Sequence, residues 1–434
     1  MSVIGMEQDV DVNGRDGEIT EPRTVLIVLA SLQRGGAERH GVWLATQIDR
    51  AQWRPVVLAF ADGPWRAELE QAGVEVRIAD LPGGWRSVPA SVAVVRSTLA
   101  ELRPDLVTGN HFRVELALRG ALRKLAGSGL RVPYLAWKHT YGHIGYRGLR
   151  ERLVEKATGG WVTRYGAVCH TQVRYLTDEL GLPPQKISVL ANSVPSPADL
   201  PQPPAPVQPT APGEFAGPAV LMTAAMRADK DHAAVLRAWP AVRAAVPGAQ
   251  LRLAGDGPCR PELERLAADL GITDCVRFLG VRGDIDDQLA QASLLVLASY
   301  AVECFPYAVL EAMAAGRGVV STDVAGLPEM VDDGITGRLV PPHDPRALAD
   351  ALIEGLVDNA AAAKAWGTAG YLRGREVFGF ADWSAAATDL FNDVAAHGGG
   401  AADGRRRDSG RKVTTDPAMA GVGATMAGAF ATSP

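Results

Sequence analysis

Short apolar runs alternate with longer amphipathic stretches from Thr24 to about Gly374. Thr24 to Ala30 (TVLIVLA), Tyr134 to Trp137, Val276 to Leu279 and Leu294 to Ala298 have the length and continuous hydrophobicity of strands buried on both faces. Tyr307 to Ala315 (YAVLEAMAA) reads instead as a helix whose small, apolar face packs closely on a sheet. Strands alternating with helices predict an α/β protein built on doubly wound parallel sheets. At 434 residues the chain exceeds what one core usually supports, so two such domains are expected.

The pattern also places the boundaries. A polar leader over 1–22 precedes a first domain at 23–195, and proline recurs every few positions through a stiff linker at 196–217. A second domain follows at 218–378, then an amphipathic helix at 379–397. The Gly/Ala/Thr-rich tail at 398–434, with Arg405 to Arg407, has the composition of a disordered segment.

Net charge is −5, but residues 24–195 carry about +8 and residues 218–392 about −8. The positive excess includes Arg113, Arg119, Arg123, Lys124, Arg131, Arg147, Arg150, Arg152 and Lys156. Such a face suits an anionic lipid surface, an anionic acceptor, the acidic second domain or plain solvent, and Glu115 is available to line a local pocket within it. Aromatic residues are few and no recognition module for nucleic acid is present. Cys169, Cys259, Cys275 and Cys304 lack metal or disulfide spacing, which suits a cytoplasmic protein. The leader has no apolar core, and no apolar run is long enough to span a bilayer.

Candidate chemistry gathers at strand ends, where open α/β sheets bind ligands. Arg227 and Lys230 follow a buried strand and suit a diphosphate, one as a planar fork and the other as a mobile point charge. Gly255, Asp256 and Gly257 form a turn that lets backbone approach a ligand closely. Glu303 lies in the next strand-to-helix loop and Glu311 about one turn into the helix. The helix start at Phe305, Pro306, Tyr307 and Ala308 offers free N–H groups to phosphate, and Gly35 and Gly36 open a helix after the first strand in the same way. A G-x-G-x-x-G dinucleotide fingerprint is absent there. Each feature taken alone also has an ordinary reading as a surface charge, a turn or a helix cap.

In order, Arg227-x-x-Lys230, the GDGP turn at Gly255 to Pro258, the strand Val276 to Leu279 with Gly280, Glu303-x7-Glu311 with its EAMAAG continuation, and DVAGLPEMVDDGITGRLV from Asp323 to Val340 resemble the second half of the family-4 retaining glycosyltransferases. That resemblance implies a GT-B architecture of two Rossmann-like domains facing across a cleft, with the last helix crossing back to the first domain. It implies a nucleoside-diphosphate-sugar donor, UDP before GDP, and a sugar-like acceptor: an aminocyclitol in antibiotic tailoring, or a lipid-linked glycan in envelope assembly. Arg227 and Lys230 would neutralise the leaving diphosphate, Glu311 would accept the ribose hydroxyls, and Glu303 would orient the sugar. His139, at the end of the strand from Tyr134, would face the sugar from the other domain; a satisfied core histidine is the alternative. No cofactor or metal is implied beyond the co-substrate, and Asp284-Ile285-Asp286 reads as a helix cap rather than a metal motif. The chain departs from the family in its short Arg/Lys spacing, in Ser193 where Gly is common, and in Gly318 where Pro is usual, a change expected to loosen the turn after the helix. A sugar-nucleotide 2-epimerase of the same fold and a non-catalytic glycan-binding subunit are the competing readings.

Overall fold

The computed structural model describes residues 21–139, 146–193, 217–301 and 303–398. The leader at 1–20, the linker at 196–216 and the tail beyond 398 lie outside the described residues, as do the side chains of Arg147 and Arg150. Both sheets belong to one unit, residues 1–399.

Seven strands build the first sheet: β1 (Arg23–Leu29), β2 (Trp53–Ala59), β3 (Glu75–Ile78), β4 (Leu106–Asn110), β5 (Tyr134–Lys138), β6 (Arg164–Ala167) and β7 (Ile187–Val189). Their order is β3-β2-β1-β4-β5-β6-β7. Six build the second: β8 (Ala219–Thr223), β9 (Gln250–Ala254), β10 (Val276–Gly280), β11 (Leu294–Leu297), β12 (Gly318–Thr322) and β13 (Gly337–Val340), in the order β10-β9-β8-β11-β12-β13. Every strand pair is parallel. Strand order reverses beside β1 in one sheet and beside β8 in the other, and ligand crevices of doubly wound folds open at such switch points.

Burial explains the central strands. All four residues of β11 are buried, as are all five of β8's partner β9, since helices cover both faces. Gly318 tightens the packing after its helix instead of loosening it. It is the first residue of β12, and a Cβ there would stand 3.0 Å from Trp366 Cβ and 3.1 Å from the Ala363 carbonyl, so a side chain would push against the helix Pro345–Val377. The helix after Val168 widens part way along: His170–Arg174 runs straight on into a wider turn at Tyr175–Glu179, in which Leu180 N–H donates to the Tyr175 carbonyl at 3.2 Å.

The helix Phe380–Gly398 rests on the first sheet. Phe391 meets Trp53 edge to face at 5.7 Å, Trp53 Nε1 donates to Asn392 at 3.0 Å, and Arg164 pairs with Asp393 at 2.7 Å. Apolar residues from both sheets, including Leu29, Trp43, Cys169, Cys304, Phe305 and Val324, pack into one core, so the two domains share buried surface. Among the described residues no helix is long and apolar enough to cross a membrane.

The basic first domain conceals part of its charge. Arg119 is buried between Glu115 (2.8 Å) and Glu155 (2.7 Å), and Lys138 donates to the same two acids at 2.7 and 2.8 Å. Glu115 is therefore committed to this network and does not line a pocket for a cationic acceptor. Arg119 counts toward the basic face in the sequence, but partners from two different helices enclose it.

Candidate functional site

Two helices, one from each domain, start close together. Gly36–Gln47 follows β1 and Tyr307–Ala314 follows β11, and a Cβ on Gly36 would lie 3.8 Å from the Tyr307 ring. Trp43 meets Tyr307 edge to face at 5.5 Å. Neither Gly35 nor Pro306, the two N-cap residues, supplies a side-chain cap, so N–H groups of the first turn at Tyr307 and Ala308 have no helical carbonyl to meet. Phe305 contributes differently: its ring is buried against Phe378 at 5.2 Å, and its carbonyl accepts from Asn192 Nδ2 at 2.7 Å. At the other helix start Glu38 curls back, its Oε2 only 2.3 Å from where a Gly35 Cβ would be. Burial pushes the Glu38 carboxyl up, against a hydrogen bond from its own amide. The Gly35-Gly36 start thus already has an acid over it.

Lys230 and Glu303 form an ion pair, with side chains 15% and 8% exposed. Ser299 Oγ donates to the same Glu303 oxygen at 2.6 Å, and the Glu303 carbonyl accepts from Gly326 N–H at 2.8 Å, which fixes the loop on both sides. Arg227 is different: its side chain is 56% exposed and forks onto Asp229 at 2.9 and 2.7 Å. The hydrogen bond to Asp229, and then the charges of Asp229 and Glu303, raise its pKa against burial. Asp231, at φ 45°, caps the following helix by accepting from Ala234 N–H at 3.1 Å and takes His343 Nδ1 at 3.1 Å. Asp229 is tied by its carbonyl to Tyr300 N–H at 3.1 Å. The structure therefore joins Lys230 to Glu303 and leaves Arg227 at the rim. Glu311 pairs with Arg39 of the first domain.

The glycines of the GDG turn hold that loop. Gly255 has φ 141°, and a Cβ there would be 2.0 Å from the Ala224 carbonyl; one on Gly257 would be 2.5 Å from the Met226 carbonyl. Their demonstrable work is close packing under the strand end that carries Arg227. Asp256 turns outward, accepting from Gly257 N–H at 2.7 Å and Arg260 at 3.0 Å, and the amide followed by the guanidinium lowers its pKa.

His139 follows β5, stacked on Trp137 at 6.3 Å and 4.7 Å from the His40 ring. Burial, then the neighbouring His40, holds its pKa well below the usual range, and its Nε2 has no hydrogen-bond partner among the described residues. It is a neutral imidazole, fit to share a hydrogen bond and not to neutralise an anion. Burial likewise drops His40 to about 4, with Asn192 Oδ1 at 3.0 Å opposing it.

Asp284 stands at the N-cap of Ile285–Ala290, but its carboxylate does not cap the helix. It accepts from Arg282 at 2.7 and 2.5 Å, because a guanidinium two residues away offers a charged fork that outcompetes a backbone N–H. Asp286 and Asp287 remain in the first turn. Among the described residues no group of three or more His, Cys, Asp or Glu is placed to hold a metal.

Four contributors were not singled out in the sequence: Arg39, Ser299, Glu38 and Glu329. Glu329 accepts from His170 N–H at 2.8 Å and from Thr171 N–H and Oγ1 at 2.6 Å, binding a helix start of the first domain. Ser299 lay within reach, four residues before Glu303 at a strand end; the others are defined by partners in the other half of the chain or by side-chain folding. Asn192 and Ser193 are bridges. Asn192 joins His40 to Phe305, and the Ser193 hydroxyl donates to the Phe378 carbonyl at 3.0 Å, which gives the serine a buried partner.

Residues 35–193 match the family described as glycosyl transferase 4-like domain, and residues 217–358 match glycosyl transferases group 1. The exopolysaccharide phosphotransferase of Streptomyces coelicolor is 38% identical over 147 residues, 33% of this chain and 15% of that protein. The D-inositol 3-phosphate glycosyltransferase of the same organism is 41% identical over 140 residues, 32% of this chain and 30% of the relative. The chain thus spans less than a third of the length of these curated relatives. Among solved structures, Anabaena HepE in complex with UDP and glucose superposes with a TM-score of 0.72 at 20% identity, covering 85% of this chain and 99% of HepE. Sucrose-phosphate synthase from Thermosynechococcus elongatus does so with a TM-score of 0.70 at 20% identity, over 86% and 99%. At such identities the likeness is one of fold.

Proposed function

Because the chain belongs to the family-4 glycosyltransferases of the GT-B fold, we propose that it moves a sugar from a nucleoside diphosphate, UDP before GDP, to a hydroxyl of a sugar-like acceptor with retention of configuration. Lys230 and Glu303, paired just ahead of the uncapped helix start at Tyr307, carry this reading. A diphosphate needs fixed positive charge where its own charge grows during departure, and preorganised charge in a part-buried site is worth more than charge in water. Lys230 supplies it directly, and Arg227 joins after leaving Asp229. The N–H groups at Tyr307 and Ala308 meet the remaining oxygens, the ribose lies on Glu311, and Glu303 holds the sugar hydroxyls.

In the transfer, the bond between the anomeric carbon and the diphosphate oxygen breaks, and the acceptor oxygen bonds to the same face of that carbon. The acceptor proton goes to the departing diphosphate oxygen. His139, a neutral imidazole at the end of β5, hydrogen-bonds the donor sugar. The shared interdomain core keeps water from the reacting carbon.

The acceptor is a polyhydroxylated ring, either an aminocyclitol-type core in natural-product tailoring or a growing envelope polysaccharide or glycolipid. One relative is named for exopolysaccharide and another for an inositol phosphate, which supports this class. The cations of the first domain outside the Arg119 network provide attraction for an anionic acceptor, or for an anionic membrane on which the protein works peripherally.

Thermal unfolding with UDP-, GDP- and dTDP-sugars tests the donor. A ligand at about a hundredfold its Kd adds about 2.7 kcal/mol of stability, a clear rise in Tm. The UDP series should give the largest rise, and no rise with any of them would overturn the reading. Incubation of the stabilising sugar nucleotide without acceptor should leave it intact; an isomerised sugar still attached to nucleotide would identify an epimerase instead.

A further inference from the structure

Arg39 lies in the first helix of the first domain, yet its guanidinium reaches Glu311 in the second, 272 residues away in sequence. It is clamped there: its Cζ stands 5.1 Å over the Trp43 ring and 4.7 Å over the Tyr307 ring. The two charged side chains are only 18% and 14% exposed. Nη1 holds Oε1 of Glu311, while Oε2 makes no hydrogen bond among the described residues and is not among the enclosed polar atoms. A carboxylate held by one oxygen at a fixed angle, with the other left open beside a helix start, is a prepared hydrogen-bond acceptor.

We propose that Arg39 is a positioning residue for the donor: it fixes one oxygen of Glu311 so that the other meets the ribose hydroxyls of a bound nucleoside diphosphate, and so makes ribose recognition depend on both domains being together. This rests on Glu311 being the ribose acceptor.

The charge of Arg39 matters as well as its shape. Burial pushes the Glu311 carboxyl up, Arg39 brings it down, and Asp286 of the helix Ile285–Ala290 adds to the upward push. Tyr307, one turn earlier, is the other titratable group close to the pair. Without Arg39 none of these neighbours favours the ionised form. A neutral carboxyl accepts ribose hydroxyls less strongly than a carboxylate.

Calorimetric titration of the full chain with UDP and with 2′,3′-dideoxy-UDP tests this, using wild type, Arg39→Met, Arg39→Lys and Glu311→Gln. Wild type should prefer UDP by about tenfold or more, the worth of hydrogen bonds to a charged group. Arg39→Met should lose most of that preference while binding the dideoxy compound within about twofold of wild type, and that unchanged binding reports an intact donor domain. Arg39→Lys should recover part of the preference. In Arg39→Met, UDP binding should gain more from a rise in pH than it does in wild type, because the raised carboxyl then ionises. Full preference in Arg39→Met, or tighter UDP binding than wild type, would overturn the proposal, the latter by showing that Arg39 competes with ribose. If Glu311→Gln loses the preference and Arg39→Met keeps it, only the role of Arg39 falls. If wild type itself shows no preference for ribose, the reading of Glu311 falls and takes this one with it.

Discussion

Lys230→Ala is expected to lower kcat/KM by about 10²–10³-fold, the usual loss when one preorganised charge-stabilising group is removed. Two effects combine. The departing diphosphate loses its nearest part-buried cation, and the Glu303 carboxylate keeps, among the described residues, only the Ser299 hydroxyl as a hydrogen-bond partner. Arg227→Ala should be milder, about tenfold in the same quantity, because this side chain is largely solvated and must leave Asp229 before it can help. Glu303→Gln combined with Lys230→Ala should cost much less than the sum of the single changes, since the pair works as a unit. Steady-state kinetics with a saturating acceptor decides: a Lys230→Ala enzyme within about threefold of wild type would remove this residue from the mechanism.

Glu155→Gln is expected to destabilise the protein by about 3–5 kcal/mol, the range for breaking a buried ion pair from one side. Glu155 accepts from Arg119 at 2.7 Å, Lys138 at 2.8 Å and the Tyr165 hydroxyl at 2.8 Å, so the neutral side chain would leave two buried cations sharing Glu115. Burial drives the Glu155 carboxyl up, but Lys138 and then Arg119 outweigh it and bring it down to about 2 from an ordinary 4.5. A depressed folded-state pKa means that the unfolded chain binds the proton more readily. The stabilisation is therefore complete above about 4.5 and fades as pH falls toward about 2. Denaturant unfolding across that window should show a steep acid loss in wild type and a shallower one in Glu155→Gln; equal stabilities at neutral pH would contradict the account. Lys138 immediately precedes His139, so this network also anchors the strand end that carries the imidazole.

What the sequence revealed depended on how local the cause was. Leu294 to Ala298 and Thr24 to Ala30 are legible as strands because helices on both faces leave no polar alternation to confuse the pattern. The strand Glu75–Ile78 is one residue exposed and three half-buried, and so carries little signal. Lys230 and Glu303 are visible as strand-end charges, and the loops that bear them fold locally enough to join them. Arg39 is not legible, since its partner is set by how the two domains meet. Arg119 was misjudged for the same reason, because Glu155 closes over it from another helix. The role of Asp284 failed on a smaller scale: the sequence offered two partners within two residues, and the charged one won.

A crystal structure of the protein with UDP tests the whole arrangement most directly. The account predicts the diphosphate between Lys230 and the N–H groups of Tyr307 and Ala308, with the ribose hydroxyls on Glu311 while Arg39 still holds its other oxygen. UDP seated away from these residues, or a cleft that stays empty at saturating nucleotide, would contradict it.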